Sequence, residues 1–444
     1  MLALSVGYHA GMRRILLSVV LTAGCAGGAR EASLRREVDP ALLHGDVRAA
    51  VAASQKLGGL DDRRLRVAAE TVVWTALQSP DAEQRVRAAR VALSVEAPAL
   101  DREMPRRLID SDPRVRALAA VLLAPQAPEA RQVLAAALKS SDPAARLIAL
   151  DGIGYLDDLP ALLTRLANDA DPQVRARVAS ELGARNPREL AETLLRKLLS
   201  DGDAGVRAAA IRAVGVRGDR ALSAEVERAL EDPSLGTRLA ALSAITRFGT
   251  SASRLAALGS GADHYLALRA AVQLHRLGKL EQALAAVRTA AADRRPEVRA
   301  AAMNAAGELG PAGAALALPL LRDPDREVRF AAARALIAAG QPAAALPFLI
   351  AAVSTQPALP FALDAADELA RLGNPLGRAT LERALGSADA FERRRAVSLL
   401  APLPGSLLLL EHALADIDPD VRLSAAESLL RRAYRPYLKR NWAT

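Results

Sequence analysis

The residue whose chemistry is easiest to place is a single cysteine near the start of the chain. Cys25 is the only cysteine among 444 residues, so it cannot form an internal disulfide or build a cysteine metal site. It follows an apolar run from Ile15 to Ala23 that is preceded by Arg13 and Arg14. A positive start, a short apolar stretch and small residues at its exit are typical of a secretory signal. The run is also shorter than the roughly 20 residues that span a bilayer.

The residues around Cys25 resemble a bacterial lipoprotein signal, in which a small residue precedes the cysteine that receives the lipid. Ala23, Gly24 and Cys25 match that pattern, whereas Thr22 stands where leucine is usual. The resemblance implies that Cys25 becomes the first residue of the mature chain and carries more than one acyl chain, which gives stable attachment. Because Ala26 rather than aspartate follows the cysteine, it also implies the periplasmic face of the outer membrane.

Two alternatives stay open at this end of the chain. One is an ordinary signal that releases a soluble periplasmic or secreted protein with an unmodified cysteine. The other concerns the start, since residues 1–11 make an awkward extension of a signal and Met12 is an alternative first residue. Residues 1–24 are the predicted signal peptide, or residues 12–24 if Met12 is the first residue, and residues 25–40 are predicted as a polar tether.

Other residue types that perform chemistry do not converge in the sequence. The five histidines are scattered without metal-ligand spacing: His9, His44, His264, His275 and His412. Phosphate-binding loops of the GxGxxG or GxxxxGK[ST] type are absent, as is a GxSxG nucleophile elbow. Most carboxylates fall at repeated turns, where helix capping accounts for them. We therefore expect no catalytic residues, no metal ion and no cofactor.

The body of the chain repeats one motif. The stretch RDPDREVRFAAARALIAAG, residues 322–340, contains a turn with aspartate and proline, then an arginine, Ala-rich positions and a closing glycine. From Arg87 to Arg329 the motif arginines are 29 to 32 residues apart, a period typical of a solenoid. The motif arginines are Arg87, Arg116, Arg146, Arg175, Arg207, Arg238, Arg269, Arg299, Arg329, Arg394 and Arg422.

An aspartate lies four residues before many of these arginines, at a position that suits a helix N-cap. The arginine can reach back to its own aspartate or to that of the next repeat, which predicts a ladder of ion pairs along the stack. The pairs of this structural ladder are Asp112–Arg116, Asp142–Arg146, Asp171–Arg175, Asp203–Arg207, Asp325–Arg329 and Asp418–Arg422. Glycines at the far end are interpreted as helix stops, namely Gly183, Gly215, Gly249, Gly310 and Gly340.

A helix pair of this length, with Asp-Pro and arginine opening its second helix, resembles the short HEAT repeat, in particular the HEAT-like type of the phycobilin lyases. The resemblance covers residues 41–433 and implies an all-α, right-handed α-solenoid of about 12–13 repeats, with residues 434–444 as a C-terminal cap or tail. Members of the family serve as scaffolds, as lyase subunits and as peptide or nucleic-acid binders. The resemblance therefore identifies a fold and leaves the function open.

The position five residues after the motif arginine is predicted to face outward on the second helix and to line the concave side. This candidate partner-binding stripe reads Asp151, Ser180, Arg212, Ser243, Asn304, Arg334 and Glu427. Its mixed sign differs from the basic track that a nucleic-acid backbone requires. The net charge of +9 is spread along the chain, with 59 Lys and Arg against 50 Asp and Glu. We therefore favour a protein or peptide partner, no nucleic acid, and membrane contact through the lipid anchor only.

Two segments depart from the repeat. Residues 251–277 lose the Asp-Pro turn and bring in His264, Tyr265 and His275, which indicates repeat decay, a bend or a functional patch. The segment RRAYRPYLKRNW, residues 431–442, gathers three aromatic and five basic side chains. We interpret it as a polar cover for the open face of the last repeat.

Together these patterns predict a non-catalytic scaffold for protein interactions, lipid-anchored on the periplasmic side of a bacterial envelope membrane. One alternative is a lyase-like subunit that binds a chromophore or another small ligand, by analogy with the family. The other is a nucleic-acid-binding HEAT protein.

Overall fold

The structure, a computed structural model, describes residues 29–184, 188–355 and 360–434. Cys25, the predicted signal peptide and residues 435–444 lie outside the described residues. The chain is 75% helical, and no strand occurs in the described ranges, which confirms the predicted all-α repeat solenoid. No helix in these ranges is both long enough and apolar enough to cross a membrane.

Two compact units make up the chain, one from both of its ends and one from its middle. The first unit contains the residues up to Leu156 and those from Arg378 onward, and the second contains Asp157–Gly377.

The helices of the first unit come from both ends of the sequence. They are α1 (Ala29–Glu37), α2 (Asp39–Leu43), α3 (Val47–Gln55), α4 (Asp62–Leu77), α5 (Ala82–Ser94), α6 (Pro98–Asp101), α7 (Met104–Arg107), α8 (Pro113–Leu123), α9 (Pro128–Ala137) and α10 (Pro143–Leu150), then α26 (Ala390–Leu400), α27 (Leu407–Ala413) and α28 (Pro419–Ala433). A short 3₁₀ turn, Ile153–Tyr155, follows α10.

The helices of the second unit follow one another without interruption by the first. They are α11 (Leu159–Leu166), α12 (Pro172–Ala184), α13 (Arg188–Leu198), α14 (Ala204–Arg217), α15 (Ser223–Arg228), α16 (Leu235–Arg247), α17 (Ala252–Gly259), α18 (His264–Arg276), α19 (Leu280–Ala291), α20 (Pro296–Glu308), α21 (Pro311–Leu320), α22 (Arg326–Ala338), α23 (Pro342–Thr355) and α24 (Pro360–Arg371). Helix α25 (Pro375–Ala384) crosses the boundary, and 3₁₀ turns at Arg220–Leu222 and Ala229–Glu231 flank α15.

The segment predicted as a polar tether, residues 25–40, is helical from residue 29 onward, which differs from that prediction. Residues 29–43 form α1 and α2, and Leu34, Val38 and Leu42 are buried at spacings of four residues. This spacing places them on one helical face, and the charged residues between them conceal the pattern in the sequence. Only residues 26–28 remain between Cys25 and the first described helix.

The helices that carry the motif arginine, here called the arginine helices, begin as the aspartate pattern predicts. In α14 the N-cap Asp203 accepts a hydrogen bond from the backbone N–H of Val206, and in α22 Asp325 accepts from Glu327 and Val328. Asp112, Asp142, Asp171 and Asp418 likewise accept from N–H groups in the first turn of their helices. These bonds satisfy donors that have no partner inside the helix.

Successive arginine helices approach one another closely because small residues line their contacts. A Cβ added to Gly215 of α14 would lie 3.0 Å from the Cα of Ala244 in α16, and one on Gly183 of α12 would lie 3.1 Å from the Cα of Ala213. These two glycines therefore serve helix packing and lie inside their helices. By contrast Gly249, Gly310 and Gly340 follow helices with φ of 86°, 64° and 77°, the backbone expected of a helix stop.

The ion-pair ladder exists, but its acids are not the N-cap aspartates. Arg207 donates through Nε and Nη2 to Asp232 of the next repeat, both at 2.8 Å, and through Nη1 to the carbonyl oxygens of Asp201 and Gly202 in its own turn. Five further pairs of this type join successive turns at 2.7 to 2.9 Å, namely Arg85–Asp110, Arg175–Asp201, Arg238–Asp263, Arg299–Asp323 and Arg393–Asp416.

In five of these six pairs the acid lies two residues before the N-cap, where it also accepts from the backbone N–H of the cap residue. The predicted partners Asp112, Asp171, Asp203, Asp325 and Asp418 cap their helices instead of holding an arginine of the ladder. In these repeats the cap carboxylate is turned toward its own helix N-terminus, and the aspartate two places earlier faces the arginine. In α18 the cap residue Asp263 does both, since it accepts from the first turn of its helix and also holds Arg238.

Three motif arginines were assigned to the wrong position. The side chain that bonds the turn carbonyls is Arg85 rather than Arg87, and Arg393 rather than Arg394. In α18 the position is taken by His264, whose Nε2 lies 3.2 Å from Asp293, and Arg269 lies one and a half turns later.

The ladder predicts how stability responds to acid. The Arg207 guanidinium lowers the pKa of Asp232 below its usual value of 3.8, so the pair stabilises the fold above that pH and its contribution is lost as the pH falls through the lowered value. We expect Asp232→Asn to reduce the free energy of unfolding at neutral pH by about 1–2 kcal/mol. The variant should also lose less stability than the parent on acidification, measured by urea unfolding across the pH range. The exposed Asp157→Asn is the matched control, and equal effects of the two changes would contradict the ladder.

The two ends of the sequence meet in the first unit along a seam formed by α3 to α5 with α27 and α28. Glu411 is 1% exposed there; it accepts a hydrogen bond from the Ser54 hydroxyl at 2.5 Å and from the backbone N–H of Leu60 at 2.9 Å. Arg48 donates to the carbonyl oxygens of Asp416 and Ile417. The last repeat is therefore covered by the first helices of the chain.

The C-terminal end of α28 adds an aromatic contact to the seam. The Tyr434 hydroxyl bonds the Glu70 carboxylate, and the Arg66 guanidinium lies 5.7 Å from the centre of the Tyr434 ring. Burial raises the pKa of Glu70 and also that of Tyr434. The segment interpreted as a cap thus begins as part of α28, which packs on α4. Its remainder, residues 435–442, lies outside the described residues.

Neighbouring glycines in the seam give a matched test of this packing. Gly58 and Gly59 have φ of 77° and 91°, but a Cβ on Gly59 would lie 2.3 Å from the Leu408 side chain while Gly58 faces open space. We expect Gly58→Ala to cost about 1 kcal/mol for the left-handed backbone alone. Gly59→Ala should reduce the free energy of unfolding by about 2 kcal/mol more, because it also separates α27 from the loop between α3 and α4. Thermal unfolding of both variants measures this, and equal shifts would mean that the ends do not pack as described.

Candidate binding surfaces

The predicted stripe lies mainly on the second unit, where it runs across consecutive arginine helices. Ser180, Arg212, Ser243, Asn304 and Arg334 are all exposed, at the same position of α12, α14, α16, α20 and α22. The hydroxyls of Ser180 and Ser243 donate back to carbonyl oxygens of their own helices. Because the side chains of Ser180, Ser243 and Asn304 are short, they do not protrude between the exposed arginines.

The gap in this stripe at α18 is filled by a residue that the sequence analysis placed elsewhere. Counted from His264, the equivalent position is Arg269, which is exposed and forms an ion pair with Glu308 of α20 at 3.0 Å. Arg334 pairs in the same manner with Glu368 of α24 at 3.1 Å. Two of the stripe arginines are thus neutralised by the next arginine helix, which gives the surface its mixed sign.

Two other arginines of this surface remain without an acidic partner among the described residues. Arg212 and Arg247 are exposed on α14 and α16, and neither forms an ion pair there. The Arg247 Cδ lies 3.8 Å from the point that a Cβ on Gly215 would occupy, so its stem crosses α14 one turn after Arg212. The two guanidinium groups therefore share one region of the second unit.

The two stripe residues of the first unit are placed differently. Asp151 is half-buried and follows the last residue of α10 as its C-cap. Glu427 is half-buried on α28 and pairs with Arg431 at 2.6 Å. Neither presents a free charge, so the open part of the stripe is that of the second unit.

The irregular segment 251–277 forms α17 and α18, and its three polar rings do not converge. His264 bonds Asp293 in place of a ladder arginine, while Tyr265 and His275 are half-buried elsewhere on the same helix. Repeat decay with a substituted ladder contact accounts for this segment. No group of three or more His, Cys, Asp or Glu side chains in the described ranges could hold a metal ion.

Two cavities flank the seam of the first unit, and no sequence pattern predicts them because their walls come from both ends of the chain. One, of about 510 Å³, is lined by α4, α27 and α28 and includes Arg63, Arg66 and Arg432. The other, of about 560 Å³, lies beside α3, α4 and α28 and includes Arg48 and Arg422. Burial and the nearby Arg48 lower the pKa of Arg422.

Comparison with known proteins agrees with this repeat architecture. A family model described as HEAT repeats matches residues 159–246, 192–274, 289–360 and 314–401, together just over half of the chain. No curated protein sequence matches the chain.

Three similar solved structures are remote in sequence. Kap121p bound to Pho4p is 14% identical with a TM-score of 0.41, over 96% of this chain and 58% of its own. The complex of CpcE and CpcF of phycocyanin lyase from Nostoc sp. PCC7120 is 20% identical with a TM-score of 0.30, over 55% of this chain and 94% of its own. An engineered protein is 21% identical with a TM-score of 0.28, over 82% of this chain and 98% of its own.

Likeness at this level of identity says nothing about function, whereas the family model matches the repeats directly. With its period, its capped arginine helices and that match, the chain belongs to the HEAT-repeat family.

Proposed function

We propose that the protein is a non-catalytic scaffold that binds another protein through the arginine-helix surface of the second unit. The observation that carries this proposal is the row of exposed positions Ser180, Arg212, Ser243 and Asn304, in which short polar side chains alternate with a guanidinium group. Such a row offers hydrogen bonds along the exposed face of consecutive arginine helices.

The charges of this surface favour a partner segment with acidic side chains. Arg212 and Arg247 are free to form new charge-assisted hydrogen bonds, whereas Arg269 and Arg334 already have carboxylate partners. An arginine binds a carboxylate through two parallel N–H groups, which gives direction as well as attraction. Nucleic acid is disfavoured because Glu308 and Glu368 interrupt the positive charge.

Attachment to a membrane through acylated Cys25 is the second part of the proposal, with the periplasmic face of the outer membrane as the location. It is supported by the basic, apolar and small residues that precede Cys25. The proposal places the folded body close to the lipid, because only three residues separate Cys25 from the beginning of α1.

The binding surface is tested by charge reversal. We expect Arg212→Glu with Arg247→Glu to abolish capture of a partner from membrane extracts, because both changes place like charge against the acidic segment that these two arginines would bind. The control is Arg228→Glu with Arg288→Glu, which reverses two exposed arginines on α15 and α19. Survival of every captured protein in the first variant would remove the surface as the binding site.

The anchor is tested by the intact mass of the protein recovered from a bacterial membrane fraction. The expected mass corresponds to a chain that starts at Cys25 and carries acyl groups, and Cys25→Ser should abolish both the added mass and the membrane association. A chain that retains the residues before Cys25, or one that begins at Cys25 without added mass, would contradict the anchor. Neither result would bear on the protein-binding surface.

A further inference from the structure

The seam cavity between α4, α27 and α28 collects positive charge that the fold itself does not neutralise. Arg63, Arg66 and Arg432 line it, against a single carboxylate, the exposed Asp62. Its remaining wall is apolar and includes Leu407 and Leu429. A space with three guanidinium groups and a leucine wall suits an anion that is attached to an apolar body.

The contacts of the three arginines leave their charges available. The Arg63 Nη2 atom is buried and has no hydrogen-bond partner among the described residues. Arg432 donates to the Ala401 carbonyl oxygen and the Ser406 hydroxyl, which are neutral acceptors. Arg66 lies over the Tyr434 ring, beside the Glu70 carboxylate, which accepts a hydrogen bond from the Tyr434 hydroxyl.

Burying part of an arginine without an anionic partner is unfavourable, because the charge loses hydration and gains nothing in return. In six pairs of the ladder the same residue type meets a carboxylate of the next repeat. Arg63, Arg66 and Arg432 form no ion pair among the described residues, so an external anion would supply the missing partner. Guanidinium groups bind phosphate through paired N–H donors.

Two exposed leucines begin α27 at this cavity. Leu407 lines the cavity and Leu408 is the next residue, and their exposed fractions are 37% and 49%. A pair of large apolar side chains beside three arginines has the composition of a surface that rests on lipid, with the leucines below the phosphates and the arginines at their level.

The same rim is close to the start of the folded chain. The Leu408 side chain packs on Gly59, and the Gly59 carbonyl oxygen accepts a hydrogen bond from Arg30 at 3.0 Å. Arg30 is the second residue of α1, and Cys25 lies four residues before Ala29. An extended chain of four residues reaches at most about 14 Å. A lipid on Cys25 would therefore hold this rim against the bilayer.

We infer that the rim formed by Arg63, Arg66, Arg432, Leu407 and Leu408 docks on a membrane of anionic phospholipid, with the arginines on the lipid phosphates and the leucines in the interface. The inference deepens the proposed anchor and rests on it for the orientation. It differs from attachment by the acyl chains alone, because the protein surface itself contributes to binding. A lipid phosphate is favoured over a free one because the leucines and the nearby Cys25 point to the same surface.

The test uses vesicles and a chain that cannot be acylated. The chain from residue 25 with Cys25→Ser retains every described residue and lacks the apolar signal. It is expected to bind vesicles of phosphatidylcholine with phosphatidylglycerol, to bind pure phosphatidylcholine far more weakly, and to dissociate as salt is added. Arg63→Gln with Arg432→Gln should weaken binding to the anionic vesicles about tenfold. The matched control, Arg228→Gln with Arg288→Gln, removes the same charge from the second unit and should leave binding unchanged.

A second variant separates docking from general attraction of a basic protein. Leu407→Ser with Leu408→Ser keeps all charges, and it should also weaken vesicle binding while the circular dichroism spectrum and thermal unfolding remain those of a folded chain. Equal losses in the control and the arginine variant, or no preference for phosphatidylglycerol, would overturn the inference.

The remaining experiment measures binding of a soluble phosphate compound. If glycerol phosphate binds the parent chain and not the arginine variant, while vesicles do not bind, the cavity serves a free phosphate and the membrane assignment is wrong. Because this chain carries no acyl group, the outcome is independent of whether Cys25 is modified. A failure here is therefore distinguishable from a failure of the anchor in the mass measurement.

Discussion

One interaction sets the geometry of the repeat array: a ladder arginine binds the turn of its own repeat and the turn of the next repeat. Ten arginines in the described residues donate from Nη1 to the carbonyl oxygens five and six positions earlier in the chain. In six of them Nε also donates to an aspartate of the following repeat, and in five of these Nη2 donates to the same carboxylate. Only a planar group with five donors can meet two carbonyls and a carboxylate at once, so lysine could not replace it. The partly buried pairs fix the spacing and rotation of one repeat against the next.

The ladder explains why the arginine helices contain small residues where they contact one another. Since the ladder draws consecutive turns together, the helices behind them must approach closely, and Gly183 and Gly215 face alanines at distances that leave no room for a Cβ. The scarcity of aromatic side chains, 3% of the residues, follows from the same thin packing. At the seam the ladder gives way to contacts between distant parts of the sequence. There Glu411 is buried and satisfied by Ser54 and Leu60, which makes the two ends depend on each other.

The sequence predicted the parts of this structure that are local and repeated. The Asp-Pro turns marked the N-termini of the arginine helices, and the glycines Gly249, Gly310 and Gly340 marked their ends, because both signals act within a few residues. The ladder acid was missed although a sequence signal existed, the Asp-x-Asp pattern of Asp201 and Asp203, whose two carboxylates have different roles. Arg85 was confused with Arg87 because two arginines stand two places apart and the period tolerates either. The seam had no local signal, since Ser54 and Glu411 are joined by tertiary packing alone.

The candidate surfaces could be predicted only where they follow the repeat. The stripe of the second unit is defined by its distance from the motif arginine, so the sequence alone locates it. In α18 this distance leads to the wrong residue because a histidine, His264, occupies the motif position. The net charge of +9 was read as evenly spread, and the ladder does absorb much of the arginine. Among the arginines without an acidic partner, two groups lie together, Arg212 with Arg247 on the second unit and Arg63 with Arg66 and Arg432 at the seam. In a fold that uses arginine as its structural residue, the informative arginines are those that the fold leaves without an acid. Composition cannot distinguish them from the rest, because the difference lies in whether the next repeat presents a carboxylate to them.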